Sequence, residues 1–319
     1  MYKFLNKNIV FHSFLLFALL VYAIYLILTQ SNYIFSPESS IFDLLLGEMW
    51  QKNVLSMRIV AVFSLLLQIV LLQYYFRNNQ FLEDKSLLPS IIYLALLVAS
   101  GSLSSLSLVF FVNLFVILLL MLNSGYQTQS VKNQVFISGF IIGVLLFADV
   151  SSLLLFFFVF GSLLVNRFSK ARDILLTLMG FLIPVIYAFA IYLFKDQYLV
   201  DSMDGYAFKF FGFYSGLSSL KVIEIIAFFF MVVVLLYFAS SLTMIFSSKL
   251  IIMRRRLISI NALTVVLLPI LFVTPFAYPY SLAYMFIPIT IYGALICQYK
   301  NKWVLNDFLL LALIVLLCL

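Results

Sequence analysis

The Lys and Arg residues of this chain fall in a pattern that few folds permit. When the sequence is divided into its apolar runs, 14 of the 19 basic residues lie at the N-terminus or in every second connection after it. They are Lys3 and Lys7; Arg77 and Lys85; Lys132; Arg167, Lys170 and Arg172; Lys249 and Arg254 to Arg256; and Lys300 and Lys302. The alternate connections and their flanks hold only Lys52, Arg58, Lys195, Lys209 and Lys221. Basic loops resist translocation, so this alternation marks a polytopic membrane protein and predicts which side each loop faces. Composition agrees. Hydrophobic residues make up 65% of the chain and charged ones 10%, against about half and about a quarter in soluble domains.

The apolar runs predict an all-α fold, one transmembrane domain over 1–319 with eleven membrane helices. They fall at about 9–29, 54–76, 87–102, 105–123, 134–148, 151–166, 174–194, 221–246, 259–275, 278–297 and 306–319. The first run is followed by Thr29-Gln-Ser-Asn rather than a small-x-small cleavage site, so it reads as an uncleaved helix and not as a secretory signal. The N-terminus is expected in the cytoplasm and the C-terminus outside, in a bacterial inner membrane. The fifth, sixth and last helices fall short of the ~20 residues a perpendicular span needs. They are expected to extend into polar flanks or to be shielded by neighbours. The third and fourth helices, and the fifth and sixth, read as hairpins through Ser100-Gly-Ser-Leu-Ser-Ser and Ala148-Asp-Val-Ser-Ser. Merging either pair would put successive basic loops on opposite sides.

The net charge of +7 fits cytoplasmic loops facing anionic headgroups. Its dispersal over five loops speaks against nucleic acid as a partner. The expected partners are the lipid bilayer and other membrane proteins. Cys297 and Cys318 lie far apart in apolar runs and read as small buried hydrophobes. The inner loops are too short to house a soluble domain, so the chemistry is sought within the membrane or at the outer face.

Two outer connections are long, 30–53 and 195–220. In the first, Ile41-Phe-Asp-Leu-Leu-Leu-Gly-Glu-Met-Trp50 puts Phe42, Leu45, Leu46, Met49 and Trp50 on one arc at 100° per residue, with Asp43, Gly47, Glu48 and Gln51 opposite. That is an interfacial amphipathic helix at about 40–51, with Trp50 at headgroup depth. Asp43 and Glu48 then form a solvated polar face, or one of them is a general base or metal-binding carboxylate beside a lipid-linked substrate. Arg58, one turn into the second helix, either snorkels to the interface or binds a polyprenyl phosphate. Asp149 either caps the sixth helix, helped by Ser151 and Ser152, or contributes to a site. The second loop carries Asp196, Asp201, Asp204 and Lys209 among aromatics, as an interfacial belt or a carbohydrate site.

Elsewhere the readings are structural. Glu224 is placed to pair with Lys221. Arg254 to Arg256 read as a cytoplasmic anchor, and His12 as a hydrogen-bonded helix contact. No Walker A, GxGxxG, HExxH or GxSxG motif occurs in a fitting context. No cofactor is expected, and the chain gives no specific support for a metal.

The central third carries a recognisable arrangement. Phe136-Ile-Ser-Gly-Phe-Ile-Ile-Gly143 is followed by an outer turn at Asp149, a helix, the basic loop Asn166-Arg-Phe-Ser-Lys-Ala-Arg-Asp173, and Gly180-Phe-Leu-Ile-Pro184. With Asn78-Asn-Gln-Phe-Leu82, it resembles a family of polytopic inner-membrane proteins of Bacteroidota to which no activity is assigned. More distantly it resembles GT-C-fold glycosyltransferases. That resemblance implies a GT-C-like bundle and transfer of a sugar from a polyprenyl-phosphate carrier on the outer face. It puts Asp43 and Glu48 in the catalytic loop, with Arg58, Asp149 and Lys209 toward substrate. The chain departs from the pattern in lacking an Asp-x-Asp or Glu-x-Asp pair and in having Ala148-Asp149 at the outer turn. A non-catalytic subunit of an envelope complex, or a transporter or lipid flippase, are the alternatives.

Overall fold

The computed structural model describes residues 9–29, 54–79, 81, 86–104, 106–124, 131–146, 150–165, 171–194, 222–246, 251–273, 283–298 and 303–318. The regular structure among them is entirely helical: α1 (Ile9–Thr29), α2 (Val54–Asn78), α3 (Leu88–Ala99), α4 (Leu106–Ser124), α5 (Val131–Leu145), α6 (Leu155–Val165), α7 (Ala171–Phe194), α8 (Val222–Phe246), α9 (Ile251–Val273), α10 (Ala283–Gln298) and α11 (Trp303–Cys318). Short 3-10 turns, Ser102–Ser104 and Val150–Leu154, precede α4 and α6. Each predicted apolar run overlaps one of these helices. Four stretches are long and apolar enough to cross a membrane: Val10–Thr29, Arg58–Asn78, Ala171–Ala190 and Ile225–Leu242.

The helices divide by position rather than by length alone. The long ones, α1, α2, α7, α8 and α9, turn apolar side chains outward, with Phe14, Phe63, Tyr187, Val233 and Val265 all well exposed. Such faces suit lipid, which is as apolar as the side chains it meets. The short α3 and α10 form the centre. Every residue from Tyr284 to Cys297 is buried, and α3 buries Pro89 to Leu94, Leu96 and Leu97. The two pack on each other, and α10 is further surrounded by α8, α9, α11 and α4. A helix enclosed by protein need not match the hydrocarbon thickness, because its ends and backbone face other helices instead of lipid. Shielding therefore accounts for α3 and α10, while α5 is shifted rather than lengthened: it begins at Val131, taking in Lys132 and Asn133, and ends at Leu145.

Two expectations change. The break between α3 and α4 is real: Ser100 N–H donates to Leu96 O at 3.0 Å and Gly101 N–H to Val98 O at 3.3 Å. Gly101, at φ 66°, supplies the left-handed conformation that ends many helices. But α3 and α4 do not then run along each other as a hairpin. Among the described residues, α3 packs chiefly on α10 and α1, and α4 on α2 and α5. The turn is fixed locally, whereas the partner of each helix is chosen by side-chain fit. Second, α9 starts at Ile251 rather than near 259, so Arg254 to Arg256 lie inside a helix and not in a loop. Arg is a good helix former, and Arg256 has a buried partner to reach.

The tightest pairing is α5 on α7. A Cβ on Gly139 would run into the Thr177 carbonyl oxygen, and one on Gly180 into the Phe136 carbonyl oxygen. A Cβ on Gly143 would stand 2.7 Å from Phe181 O and 3.0 Å from Pro184 Cγ. Small residues let helix backbones approach closely, which is a main source of attraction between helices in lipid. The glycines of 136–143 and the Gly180–Pro184 segment, adjacent in the sequence pattern only through a loop and a helix, thus meet in one seam. Among the described residues α7 packs chiefly along α5, with a further ring contact from Phe181 to Phe156 of α6 at 5.0 Å.

Candidate functional site

Of the residues singled out for chemistry, Arg58 is the one within the described part. Asp43, Glu48, the helix at about 40–51 with Trp50, Asp149, Asp196, Asp201, Asp204, Lys209 and Lys221 lie outside the described residues, as does the side chain of Glu224. Arg58 Nη1 donates to the Leu28 carbonyl oxygen at 2.6 Å. Leu28 is the penultimate residue of α1. Its carbonyl is one of the last four that the helix leaves without an internal donor, and a cation is favourable at that end of the helix dipole. Arg58 therefore does more than snorkel: it joins the C-terminal end of α1 to the N-terminal end of α2. The two ends of the segment 30–53 are thereby held together, with Asp43 and Glu48 between them in sequence.

The sequence reading missed a second arginine. Arg256 is 3% exposed, and its Nη1 donates to the Asn79 carbonyl oxygen at 2.7 Å. Arg254 is exposed and Arg255 intermediate, so the triplet is not a uniform anchor. A loop-charge count treats three adjacent arginines alike, and no sequence signal separates Arg256 from its neighbours until α9 is known to include all three.

Polar side chains within the helices mostly bond to one another across helix boundaries. The Tyr93 hydroxyl donates to Gln68 Oε1 at 2.9 Å. Gln73 accepts from the Ser90 hydroxyl at 3.1 Å and donates to the Ser86 carbonyl oxygen at 2.9 Å. Asn113 Nδ2 donates to both the backbone and the hydroxyl oxygen of Ser64. Across α9 and α10, the Tyr292 hydroxyl donates to Asn261 Oδ1 at 2.6 Å and lies 2.8 Å from the Thr264 hydroxyl. A phenol and a hydroxyl have one proton each: that of Tyr292 goes to Asn261, and that of Thr264 is shared between Tyr292 and the Ile260 carbonyl oxygen at 3.1 Å. Ser162 of α6 and Ser259 of α9 face each other at 3.1 Å. Each pair joins helices that also pack, which makes them polar glue of the kind expected in an apolar medium. Tyr292→Phe is expected to cost about 1 kcal/mol, within the range of interhelical hydrogen bonds in membranes. A modest fall in the thermal midpoint of the detergent-solubilised protein, with unchanged accumulation, is the measurement.

Two smaller expectations are revised. His12 is buried, but among the described residues nothing bonds its Nε2. Ser152 does not act as a cap there: its hydroxyl is buried with no partner among the described residues, because a 3-10 turn over Val150–Leu154 intervenes before α6. Cys297 is buried as expected, whereas Cys318 is exposed. Among the described residues no group of three His, Cys, Asp or Glu side chains gathers into a metal site.

No family model matches the chain, and neither a curated protein nor a solved structure matches it.

Proposed function

We propose that this chain is an eleven-span protein of the bacterial inner membrane that acts at the outer face, transferring a sugar from a polyprenyl-phosphate carrier in the manner of GT-C-fold enzymes. The observation that carries the reading is the Arg58–Leu28 contact. It joins the described residues on either side of the segment that holds Asp43 and Glu48 in the sequence. In this reading Asp43 or Glu48 takes the proton from the acceptor hydroxyl as its oxygen attacks the anomeric carbon. The bond from that carbon to the carrier phosphate breaks, and the phosphate leaves with the electron pair. Arg58 and Lys209 hold the phosphate through charge-assisted bonds, with Asp149 contributing from the neighbouring outer turn. A guanidinium has five N–H donors, so the bond to Leu28 is compatible with that role.

The test is genetic. Deletion of the protein is expected to change the envelope glycans, and the paired substitutions Asp43→Asn and Glu48→Gln to reproduce the change. If the substituted protein accumulates and the glycans match wild type while deletion alters them, neither carboxylate is the base.

The sidedness is checked separately. In a Cys297→Ser, Cys318→Ser background, Lys209→Cys is expected to react with an impermeant maleimide added outside spheroplasts. Lys132→Cys is expected to react only after permeabilisation. The reverse pattern overturns the orientation.

One observation favours a second reading, a non-catalytic subunit of an envelope complex. The one candidate side chain in the described part, Arg58, already has a structural bond, and the interhelical polar groups largely satisfy one another. A stoichiometric membrane partner that co-purifies in mild detergent, together with unaltered function in the Asp43 and Glu48 variants, would establish it.

A further inference from the structure

The outward side of α2 changes character in a fixed order along the helix. From Ile59 to Val70 every exposed residue is apolar: Ile59, Phe63, Leu66, Leu67 and Val70. One turn further the exposed residue is Tyr74, and the next is Arg77. Ahead of Ile59 stands Arg58, whose guanidinium reaches the C-terminal end of α1 through its bond to the Leu28 carbonyl oxygen, next to the exposed Thr29. The polar residues of the same stretch lie on the other side. Ser64 and Gln68 are buried, and Gln73 is bonded to Ser86 and Ser90. Apolar outside and polar inside is the reverse of a helix at the surface of a soluble protein. It suits a medium that offers no hydrogen bonds.

The length of this stripe matches a bilayer. Arg58 and Arg77 are 19 residues apart, about 28 Å at the α-helical rise. With the common tilt of about 20° that becomes about 27 Å along the membrane normal, against a hydrocarbon core about 30 Å thick. We propose that α2 sets the depth of the chain in its membrane: Arg58 and Arg77 stand at the two phosphate levels, and acyl chains cover the outward stripe between them. A guanidinium at that level meets lipid phosphate through charge-assisted bonds, and Tyr74 sits where aromatic side chains with a polar tip collect. Neighbouring elements repeat the order. On α1 the exposed Phe14, Phe17 and Val21 precede the exposed Tyr22 and Tyr25, toward the end that Arg58 marks. On α7 the exposed Arg172 precedes Leu175, Leu182 and Ile186, and Tyr187 follows. A protein partner seated on the stripe of α2 gives no reason for the aromatic and charged positions to fall only at its ends; a bilayer does. The inference holds whichever end faces the cytoplasm, and it is independent of the proposed reaction.

The experiment uses the full chain in vesicles of dioleoyl phosphatidylcholine and dioleoyl phosphatidylglycerol. In the Cys297→Ser, Cys318→Ser background, the single substitutions Ser56→Cys, Phe63→Cys, Leu67→Cys, Val70→Cys and Asn78→Cys each carry a nitroxide label. Collisions of the label are measured with oxygen, which concentrates in hydrocarbon, and with a nickel chelate, which stays in water. The oxygen-to-chelate ratio is expected to peak at Leu67, midway between the two arginines, and to be several-fold lower at both Ser56 and Asn78. Should Leu67→Cys not accumulate, Leu66→Cys is measured in its place. A peak more than one turn from Leu67, or a ratio at Ser56 or Asn78 equal to that at Leu67, overturns the proposal, because the arginines then do not mark the boundaries. Ready collision with the chelate at Phe63, Leu67 and Val70 also overturns it, since the stripe then faces water. Few collisions with either reagent at those positions overturn it as well, and show that protein, a second copy of this chain or a partner, covers the stripe.

Discussion

Gly180→Val is expected to detach α7 from the rest of the molecule. The added Cβ would meet the Phe136 carbonyl oxygen and the Phe140 nitrogen, backbone atoms that no rotamer change can move aside. Overpacking a core costs about 1–3 kcal/mol when side chains can yield. Here the helices themselves must separate, so a loss of about 3 kcal/mol or more is expected. Little else compensates: among the described residues α7 packs chiefly along α5 and meets α6 through the Phe181–Phe156 ring pair at 5.0 Å, and much of its remaining surface is apolar and exposed, at Leu175, Leu178, Met179, Ile186 and Tyr187. The expected readout is loss of the monodisperse species in detergent and rapid proteolysis in the cell. Gly139→Val, on the facing helix, should do the same. Gly161→Ala is the control: its nearest neighbour is Ala262 Cβ at 4.0 Å, ordinary van der Waals contact, and the variant should behave as wild type. If Gly180→Val accumulates and melts like wild type, the seam is not as close as described.

The second large effect concerns chemistry. If Asp43 or Glu48 is the general base, replacing both with their amides is expected to lower the rate of sugar transfer by about 10²–10⁴, the usual contribution of a positioned proton acceptor. The measurement is turnover of a polyprenyl-phosphate sugar by the purified protein in lipid. The amides keep shape and hydrogen-bonding capacity while removing the basic oxygen, so protein level and thermal midpoint should be unchanged. Arg58→Gln should act differently, raising KM through weaker phosphate binding and also lowering stability through the lost bond to Leu28. A variant that loses stability without any change in KM would leave Arg58 a purely structural residue. Activity within a factor of about three of wild type in the double amide variant would exclude both carboxylates as base.

Much of the helical architecture was legible in the sequence for a simple reason. In an apolar medium every backbone N–H and C=O must be satisfied within its own segment, so a long apolar run becomes a helix whatever its neighbours are. The runs beginning near Ile9, Val54 and Val222 show this, and so does the break at Gly101, where the chain needs a left-handed residue. Helix partners were not legible. Gln68 and Tyr93, 25 residues apart, or Ser162 and Ser259, 97 apart, carry no local sign that they will meet. The candidate site was legible only as a face to search, since charge distribution predicts a side for residues such as Asp43 and Glu48 and not what they contact.

The glycine-containing segments 136–143 and 180–184 show where the boundary falls. Their spacing made them recognisable as a pattern, yet only the assembled bundle turned them into one seam in which two backbones touch. Arg256 shows it more sharply. By sequence it is the third of three equal charges beside an apolar run. In the fold it is the buried one, because α9 begins early enough to carry it to the end of α2, where a carbonyl left over by the helix needs a donor. The sequence alone determined that the chain is built of apolar helices and roughly where each lies, though not that α9 begins eight residues early, because backbone hydrogen bonding and the cost of polar groups in lipid are local requirements. Tertiary structure decided which helices are central, which face outward and which arginine is structural, because those depend on the mutual fit of surfaces distant in the chain.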